Sequence, residues 1–235
     1  METNFAFIFA RKGSKGLPHK NVKILANKPL IQYSIEHALS SKKISNLFIS
    51  TDCNEIRKIA QYHGISTIVR PKHLATDSSP EWLSWRHAVD WVEKKFGKFD
   101  NFISLPATSP LRSTEDIDNA IKQRIYQDAD ICIGITETNH NPYFNMVEIG
   151  SDNLLKISKS TDNAIFRRQD VPKVYNITTS VYVAKPSFIR NKAGIFDGNV
   201  TSITIPKKRS VDIDDIYDFK YAEMILMNDV GKTFD

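Results

Sequence analysis

Short apolar runs alternate with amphipathic stretches through the first 135 residues of the chain. Continuous apolar runs of this length are typical of buried parallel strands. They predict strands at Phe5–Ala10, Leu47–Ser50, Thr67–Val69, Asn101–Leu105 and Ile131–Ile135. The stretches between them carry apolar residues at helical spacing. They predict helices at Pro29–Ser41, Asn54–His63, Pro80–Phe96 and Thr114–Tyr126.

Several of the predicted helices begin with a start signal. Pro29 fits a first helical turn, Asp52 or Asn54 can cap the second helix, and Ser113 precedes acidic residues at the fourth. The alternation of strand and helix predicts right-handed crossovers and a doubly wound, mostly parallel, Rossmann-like α/β sheet. Ligand loops in such a fold lie at the carboxyl ends of the strands.

The pattern changes after about residue 137, where short strand-like pieces such as Phe144–Ile149 and Ser180–Ala184 replace the helices. This predicts a β-rich insertion at residues 138–185 that projects from the main sheet. The α/β pattern resumes with a strand at Thr201–Ile205 and a closing amphipathic helix at Ile216–Met227. We therefore expect all 235 residues to form one catalytic domain with a small insertion.

Composition excludes several classes of protein. Apolar residues make up 41% and charged residues 25%, and no apolar run is long enough to span a bilayer. The N-terminus lacks the features of a secretory signal, so we expect a cytoplasmic protein without membrane association. Cys53 and Cys132 have no metal-ligand spacing and are expected to be buried thiols.

The net charge of +5 raises the question of nucleic-acid binding. The cations are scattered along the chain and do not form one tail or helix face, which disfavours that partner. Part of the excess lies at Arg167 and Arg168 and in the turn after the first strand. Small anionic ligands explain such local clusters as well as a nucleic-acid backbone does.

The turn after the first strand predicts a binding site for a polyphosphate. Gly13 and Gly16 allow a tight bend that brings backbone N–H groups close to an anion. The surrounding cations are Arg11, Lys12, Lys15 and Lys20. Neither the P-loop pattern nor the dinucleotide-binding glycine pattern is present. A basic surface loop is the alternative interpretation.

An acidic pair near the C-terminus predicts a hard-metal site. Asp212 and Asp214 are two residues apart and point to the same side of an extended backbone. Converging carboxylates of this kind hold Mg²⁺ on nucleotide triphosphates. A helix cap formed by Asp214 and Asp215 explains the residues equally well at this point.

Several segments together resemble the CMP-N-acylneuraminate synthetase family, the acylneuraminate cytidylyltransferases. The resemblance spans nearly the whole chain, and the matching blocks occur in the order seen in that family. The blocks are 10–21, 50–52, 70–71, 74–77, 108–112, 167–170 and 210–214. The CMP-Kdo synthetases, which are related, have a different glycine turn.

The resemblance implies a reaction between CTP and a nine-carbon α-keto acid sugar. The anomeric hydroxyl of the sugar attacks the α-phosphate of CTP, which gives a CMP-sugar and pyrophosphate. Phosphoryl chemistry of this kind depends on positioning and charge stabilisation and needs no covalent nucleophile. The resemblance also implies Mg²⁺ as cofactor, a role in surface-glycan biosynthesis and a homodimer that uses the 138–185 insertion.

Site residues carry over by position within the matching blocks. Arg11, Ser14 and Lys15 would hold the triphosphate, Asn21 the ribose, and Arg70 with the stretch around Ser79 the cytosine. The full nucleotide-binding set is Arg11, Gly13, Ser14, Lys15, Asn21, Arg70, Ser79 and Thr108. The catalytic set is Lys15, Arg167, Asp212 and Asp214, of which Asp212 and Asp214 would bind the metal.

The resemblance places Arg168, Gln169, Thr178 and Tyr182 at the sugar. An arginine fork suits a sugar carboxylate because it makes two parallel hydrogen bonds. A surface ion pair with Asp170 is the alternative for the paired arginines Arg167 and Arg168. The general base stays unassigned.

The chain departs from members of the family that use N-acetylneuraminate at three sugar-pocket positions. Pro106 replaces a glutamine, Thr178 an asparagine and Phe144 a lysine found in some members. Loss of these polar groups favours a less hydroxylated sugar of the legionaminate or pseudaminate type. Glu81 also replaces a small hydroxyl residue near the base.

Two alternative functions stay open at this point. They are a nucleotidyltransferase for another sugar, such as a Kdo-type acid, and a non-catalytic nucleotide-binding module.

Overall fold

The computed structural model describes residues 2–13, 16–160 and 167–230. Its strands are β1 (Asn4–Phe9), β2 (Ile24–Leu25), β3 (Lys28–Pro29), β4 (Asn46–Thr51), β5 (Ser66–Val69), β6 (Asn101–Ser104), β7 (Ile131–Glu137), β8 (Val147–Ile149), β9 (Leu155–Ile157), β10 (Tyr175–Ala184) and β11 (Val200–Thr204). Its α-helices are α1 (Leu30–Ser40), α2 (Asn54–Tyr62), α3 (Glu81–Phe96), α4 (Thr114–Tyr126), α5 (Pro186–Asn191) and α6 (Ile216–Val230).

Seven strands form the central sheet in the order β11-β7-β10-β6-β1-β4-β5. β1 pairs in parallel with β4 and β6, and β4 pairs in parallel with β5. β10 is antiparallel to both β6 and β7, while β11 is parallel to β7. The predicted mostly parallel α/β sheet is therefore confirmed, and the carboxyl ends of its parallel strands meet at one edge.

The elements predicted in the first 135 residues are all present, with boundaries that differ by at most two residues. Ser113 forms a capping box with Asp116 at the start of α4, as its sequence indicates. The predicted closing helix is also present, as α6.

The predicted insertion at 138–185 needs a correction at its C-terminal end. β10 does not project from the molecule but fills the central sheet between β6 and β7. Residues Ser180–Ala184 are buried on both faces there. Of the described residues of the predicted insertion, 138–160 and 167–174 lie outside the central sheet, and they include the small antiparallel hairpin of β8 and β9.

Two apolar clusters cover the two faces of the sheet. One packs α1, α2 and α4 against the sheet and includes Ile8, Ile49 and Ile103. The other is rich in aromatic rings from β1 and α3, including Phe7, which stacks on Phe102 with ring centroids 4.7 Å apart. Burial on both faces explains why β1 is a nearly continuous apolar run.

A third cluster fixes the position of the chain's C-terminal segment. It joins Leu17, from the loop after β1, with Ile213 and with Phe219 of α6. Leu17 is 7% exposed and Ile213 is fully buried. Apolar packing thus draws the glycine turn near the start of the chain to the acidic pair near its end.

None of the helices in the described ranges combines the length and hydrophobicity that a bilayer span requires. Cys53 and Cys132 are buried free thiols, as expected from their spacing. Burial raises the pKa of the Cys132 thiol to about 12, so this group is not a reactive thiolate near neutral pH.

Candidate functional site

A cavity of about 520 Å³ opens at the carboxyl ends of the parallel strands. Five residues of the predicted nucleotide-binding set line it: Arg11, Asn21, Arg70, Ser79 and Thr108. The predicted metal ligand Asp214 also lines it. Gly13 is not on its wall, and Ser14 and Lys15 lie outside the described residues.

The loop after β1 is held in place by polar contacts with its neighbours. The backbone N–H of Lys12 donates to Oδ1 of Asp52 at 2.8 Å, just after the end of β4. The side-chain amide of Asn21 donates to the carbonyl of Arg11 at 3.1 Å. Asn21 therefore uses one hydrogen bond to shape the loop, and it also lines the cavity.

The glycine turn and the acidic pair meet at one wall of this cavity. Nζ of Lys20 donates to Oδ1 of Asp214 at 3.2 Å and also to the carbonyl of Ile213. Gly16 passes so close to Asp214 that an added Cβ would lie 2.2 Å from the Asp214 carbonyl oxygen. Only glycine fits this approach, which explains its presence there without any special backbone angle.

Arg11 brings its charge to the same cavity. Its guanidinium pairs with the carboxylate of Asp77, which also lines the cavity. The segment that carries Asp77 also supplies Thr76 and Ser79 to the cavity wall. Arg11 and Lys20 therefore both bring a cation to the lining of the cavity, which suits an anionic polyphosphate.

Arg70 comes directly after β5 and is 7% exposed. Its guanidinium donates to the carbonyl of Ser50 at 3.0 Å and to the Ser50 hydroxyl at 3.3 Å. It lies 5.6 Å from the centroid of the Phe9 ring. Burial lowers the pKa of Arg70, but nearby Glu81 and Asp52 favour its charged form. The result is a fixed cationic donor on the cavity wall.

Glu81 is the first residue of α3 and lines the cavity near Arg70. Its side chain reaches solvent through the cavity, while the surrounding protein removes enough water to raise the pKa of its carboxyl. The positive charge of Arg70 acts in the opposite direction and favours the carboxylate. Glu81 is therefore a cavity group whose carboxyl is poorly hydrated.

Asp212 lies beside this wall with its carboxyl partly buried. Its Oδ1 is buried without a hydrogen-bond partner. Burial raises the pKa of Asp212, the nearby Asp214 raises it further, and the hydroxyls of Thr108 and Thr179 lower it. A buried oxygen without a donor fits a cation ligand, because a bound cation would satisfy it.

A metal site built from protein groups alone is not present in the described ranges, since no three His, Cys, Asp or Glu side chains there cluster suitably. Mg²⁺ on a nucleotide needs fewer protein ligands, since it retains waters and binds through one or two carboxylates plus phosphate oxygens. The unpaired oxygen of Asp212 and the exposed carboxylate of Asp214 fit that requirement.

The helix-cap alternative applies to Asp215 and not to the acidic pair. Oδ1 of Asp215 accepts from the backbone N–H of Tyr217 at 2.7 Å and of Asp218 at 3.0 Å. Asp218 accepts from the N–H of Asp215 at 3.2 Å, which completes a reciprocal cap. Asp214 is thus left to face Lys20 and the cavity.

Arg112 is a buried residue to which sequence reasoning gave no role. It is 1% exposed and donates to the carbonyls of Pro106 and Ser180 and to the Ser34 hydroxyl. Burial lowers the pKa of its guanidinium to about 9, and nearby Asp116 and Asp212 favour its charged form. Arg112 therefore ties the loop that carries Thr108 to β10.

The residues expected at the sugar do not share the 520 Å³ cavity. Arg168 and Gln169 line a separate cavity of about 310 Å³ beside the end of β7. Arg167 pairs with Asp170 at 2.8 Å, as in the ion-pair alternative from the sequence. The Nη2 atom of Arg168 donates to the carbonyl of Asn139 at 2.7 Å.

Thr178 and Tyr182 also lie apart from each other. Thr178 is buried and lines a cavity of about 260 Å³ together with Lys207 and Ser210. Tyr182 is 7% exposed and packs on Trp85 with ring centroids 5.3 Å apart. The strand register is irregular between Thr178 and Tyr182, so alternation along β10 does not place them on one face.

Comparison with known proteins agrees with this architecture. A model of the cytidylyltransferase family matches residues 5–229. The post-translational flagellin modification protein B of Campylobacter coli is 35% identical over 221 residues, which cover 93% of each chain. The CMP-N,N'-diacetyllegionaminic acid synthase of Campylobacter jejuni is 34% identical over 221 residues, also 93% of each chain.

The fold is similar to that of a solved structure with little sequence identity. CMP:2-keto-3-deoxy-manno-octonic acid synthetase, solved in complex with CTP, superposes with a TM-score of 0.73 at 15% identity. The match covers 97% of this chain and 99% of the other. At this identity the likeness bears on the fold alone.

Proposed function

The chain belongs to the cytidylyltransferase family, as its sequence motifs predicted, and from this premise we propose that it transfers the cytidylyl group of CTP to a nonulosonic acid. The products are a CMP-nonulosonate and pyrophosphate. The observation that carries the proposal is the meeting of Lys20 and Asp214 at the cavity that Arg11 and Arg70 also line. That cavity offers cations for a triphosphate, and Asp214 on its wall offers a carboxylate for the metal, with Asp212 two residues away in the chain.

In the proposed reaction, the oxygen of the sugar's anomeric hydroxyl attacks the α-phosphorus of CTP. The bond from that phosphorus to the oxygen bridging to the β-phosphate breaks, pyrophosphate leaves with the electron pair, and the hydroxyl proton is released to water. Arg11 and Lys20 stabilise the negative charge that spreads over the phosphate oxygens. Ser14 and Lys15, in the same loop, are proposed to add to this charge stabilisation.

Asp212 and Asp214 would hold Mg²⁺ on the triphosphate. When bound, the ion neutralises phosphate charge and helps to orient the α-phosphate. The carboxylates of Asp212 and Asp214 themselves supply the negative charge that attracts a metal ion. The ion pair with Lys20 holds Asp214 in place. The Thr108 carbonyl accepts from the backbone N–H of Ile213 at 2.9 Å, which fixes the segment between the two aspartates.

We propose that the acid sugar approaches from the side of β7 and β10. The 260 Å³ cavity there is lined by Thr178 and by Ser210, which lies two residues before Asp212. Arg168 and Gln169, in the neighbouring cavity, would receive the sugar carboxylate or its substituents. Tyr182, which is buried against Trp85, would support this wall from the core without contacting the sugar.

The sugar is proposed to be of the legionaminate type. Support comes from the 34% identical relative named for diacetyllegionaminic acid. The sequence departures agree, because Pro106 is buried and Thr178 offers one hydroxyl in place of an amide. A pocket with fewer hydrogen-bonding groups favours a sugar with fewer hydroxyls.

The test is pyrophosphate release by the purified protein from CTP and Mg²⁺. We expect release with a legionaminate-type acid, less with neuraminate, and none without an acid or after Mg²⁺ is chelated. The variant Asp212→Asn should lower turnover by about 100-fold or more while CTP binding is retained. Asp215→Asn is the matched control, because its amide oxygen can still cap α6.

Two outcomes would contradict the proposal. The first is no pyrophosphate with any nonulosonic acid while a Kdo-type acid is active, which would assign a different sugar. The second is full turnover by Asp212→Asn, which would remove Asp212 from the reaction. CTP binding without turnover on any acid would instead indicate a non-catalytic nucleotide-binding module.

A further inference from the structure

The 520 Å³ cavity is lined by residues of two chemically different kinds. Arg11, Lys20 and Asp214 form a charged group beside the glycine turn, which suits phosphates and metal. A second group combines the apolar side chains of Phe9 and Leu74 with Arg70, Glu81 and Ser84. Apolar walls with a few fixed polar groups are what a flat nucleobase needs.

Arg70 and Glu81 present opposite hydrogen-bonding properties to the cavity. The guanidinium of Arg70 only donates, and Ser50 and the Phe9 ring fix its orientation. The carboxyl of Glu81 accepts, and its helical position at the start of α3 fixes its backbone. Glu81 favours the charged form of Arg70, and Arg70 in turn favours the carboxylate form of Glu81.

This pairing matches one pyrimidine better than the other. Cytosine carries a carbonyl at position 2 and an amino donor at position 4, whereas uracil carries carbonyls at both. A donor and an acceptor that line the same cavity therefore suit cytosine, whereas in uracil the acceptor would meet a second acceptor. A site left with an unpaired polar group rejects such an analogue strongly.

We propose that Glu81 accepts a hydrogen bond from the 4-amino group of cytosine and so selects CTP over UTP. This inference rests on the proposed function, because it assigns the nucleobase within the same site. The burial that raises the pKa of Glu81 is compatible with this role, since the carbonyl oxygen of a protonated carboxyl also accepts.

A structural role for Glu81 predicts something different. If Glu81 only orients Arg70, its removal weakens binding of every nucleotide that contacts Arg70 to a similar extent. If Glu81 contacts the base, its removal changes the ratio between CTP and UTP. The selectivity ratio therefore separates the two roles, whereas loss of activity alone does not.

The experiment compares CTP and UTP with the wild-type chain, Glu81→Gln and Glu81→Ser. Binding of each nucleotide is measured by calorimetry without a sugar acid, and kcat/KM by pyrophosphate release with it. Glu55→Gln is the matched control, because Glu55 is an exposed first-turn glutamate of α2 outside the cavity. Thermal unfolding of each variant verifies that it folds.

We expect the CTP-to-UTP ratio to fall about 10- to 100-fold in Glu81→Gln and to stay at the wild-type value in Glu55→Gln. The glutamine amide can donate to uracil as well as accept from cytosine, so part of the change is a gain for UTP. Glu81→Ser, if folded, should lose selectivity mainly because it binds CTP more weakly.

An unchanged ratio in both folded Glu81 variants would overturn the inference, and so would a uniform loss for both nucleotides. Failure of the proposed function is visible separately, in the wild-type chain. If that chain binds neither nucleotide, or binds CTP without releasing pyrophosphate on any acid, the failure lies with the proposed function and not with Glu81.

Discussion

Gly16 shows at the scale of one residue how the two ends of the chain depend on each other. An alanine Cβ at this position would lie 2.2 Å from the carbonyl oxygen of Asp214, a backbone atom that cannot rotate away. An added Cβ at Gly13, in the same turn, meets nothing within 4 Å. The two glycines therefore form a matched pair for mutation.

We predict that Gly16→Ala pushes the turn away from Asp214 and destabilises the protein by about 1–3 kcal/mol. Turnover should fall by about 100-fold, since small displacements of positioning groups cost that much. Gly13→Ala should lose far less stability and far less turnover. Thermal unfolding and pyrophosphate release provide the measurements, and equal effects of the two variants would contradict the packing described for Gly16.

Sequence reasoning identified many residues of the site but not their pairings. Arg11, Asn21, Arg70, Ser79 and Thr108 were all expected at a nucleotide and do share a cavity. The contact of Lys20 with Asp214 joins positions 194 residues apart, and no local pattern in the sequence reports it. Likewise, no local sequence pattern indicates the bonding role of Arg112, because its three hydrogen-bond partners come from separate segments.

At the scale of elements, α1 carries a titratable group in an unusual environment. Burial, followed by the positive charges of Arg112 and Lys28, lowers the pKa of His37 from 6.5 to about 4. The Nδ1 atom of His37 is buried without a hydrogen-bond partner. The folded chain therefore keeps this imidazole neutral at pH values where the unfolded chain protonates it.

We predict that stability falls as the pH is lowered from about 6.5 towards 4, because the unfolded state then binds the additional proton. The part due to His37 is about 2 kcal/mol between about pH 7.5 and 5. Urea unfolding at both pH values should show a smaller dependence in His37→Gln. His140→Gln, at an exposed position, is the control. An identical pH dependence in wild type and His37→Gln would refute this.

Element types were predictable where periodicity was strong. The buried parallel strands are continuous apolar runs, and the helices between them carry apolar residues at helical spacing. Of the start signals, the capping box of Ser113 is present, whereas Cys53, and neither Asp52 nor Asn54, occupies the N-cap of α2 and makes no side-chain cap bond. The placement of β10 was not predictable in this way, because an antiparallel strand after a long irregular segment can join a sheet or stand apart. Its pairing with both β6 and β7 depends on contacts distant in sequence.

At the scale of the whole molecule, the hairpin of β8 and β9 presents an unusual apolar surface. Ile149 and Leu155 are cross-strand partners and are 73% and 65% exposed. Val147, Leu154 and Ile157 nearby are also exposed. Contiguous exposed apolar groups are typical of association surfaces, so we propose that this hairpin is the contact of a homodimer.

Replacing both members of the cross-strand pair, by Ile149→Lys with Leu155→Glu, should convert the dimer to a monomer. Light scattering on the eluting protein measures the mass, and CTP binding should survive, since the nucleotide cavity is built within one chain. The control is Tyr62→Lys, which removes an 86% exposed ring from the end of α2. A monomeric wild type, or a double variant that stays dimeric, would count against this surface.

The central claim is that the cavity between the glycine turn and the acidic pair binds CTP. A crystal structure of the protein with CTP and Mg²⁺ tests it most directly. It should show the triphosphate beside Arg11 and Lys20, the metal on Asp212 and Asp214, and the base beside Arg70. A nucleotide bound elsewhere, or a complex in which Lys20 and Asp214 lie on opposite sides of the protein, would contradict it.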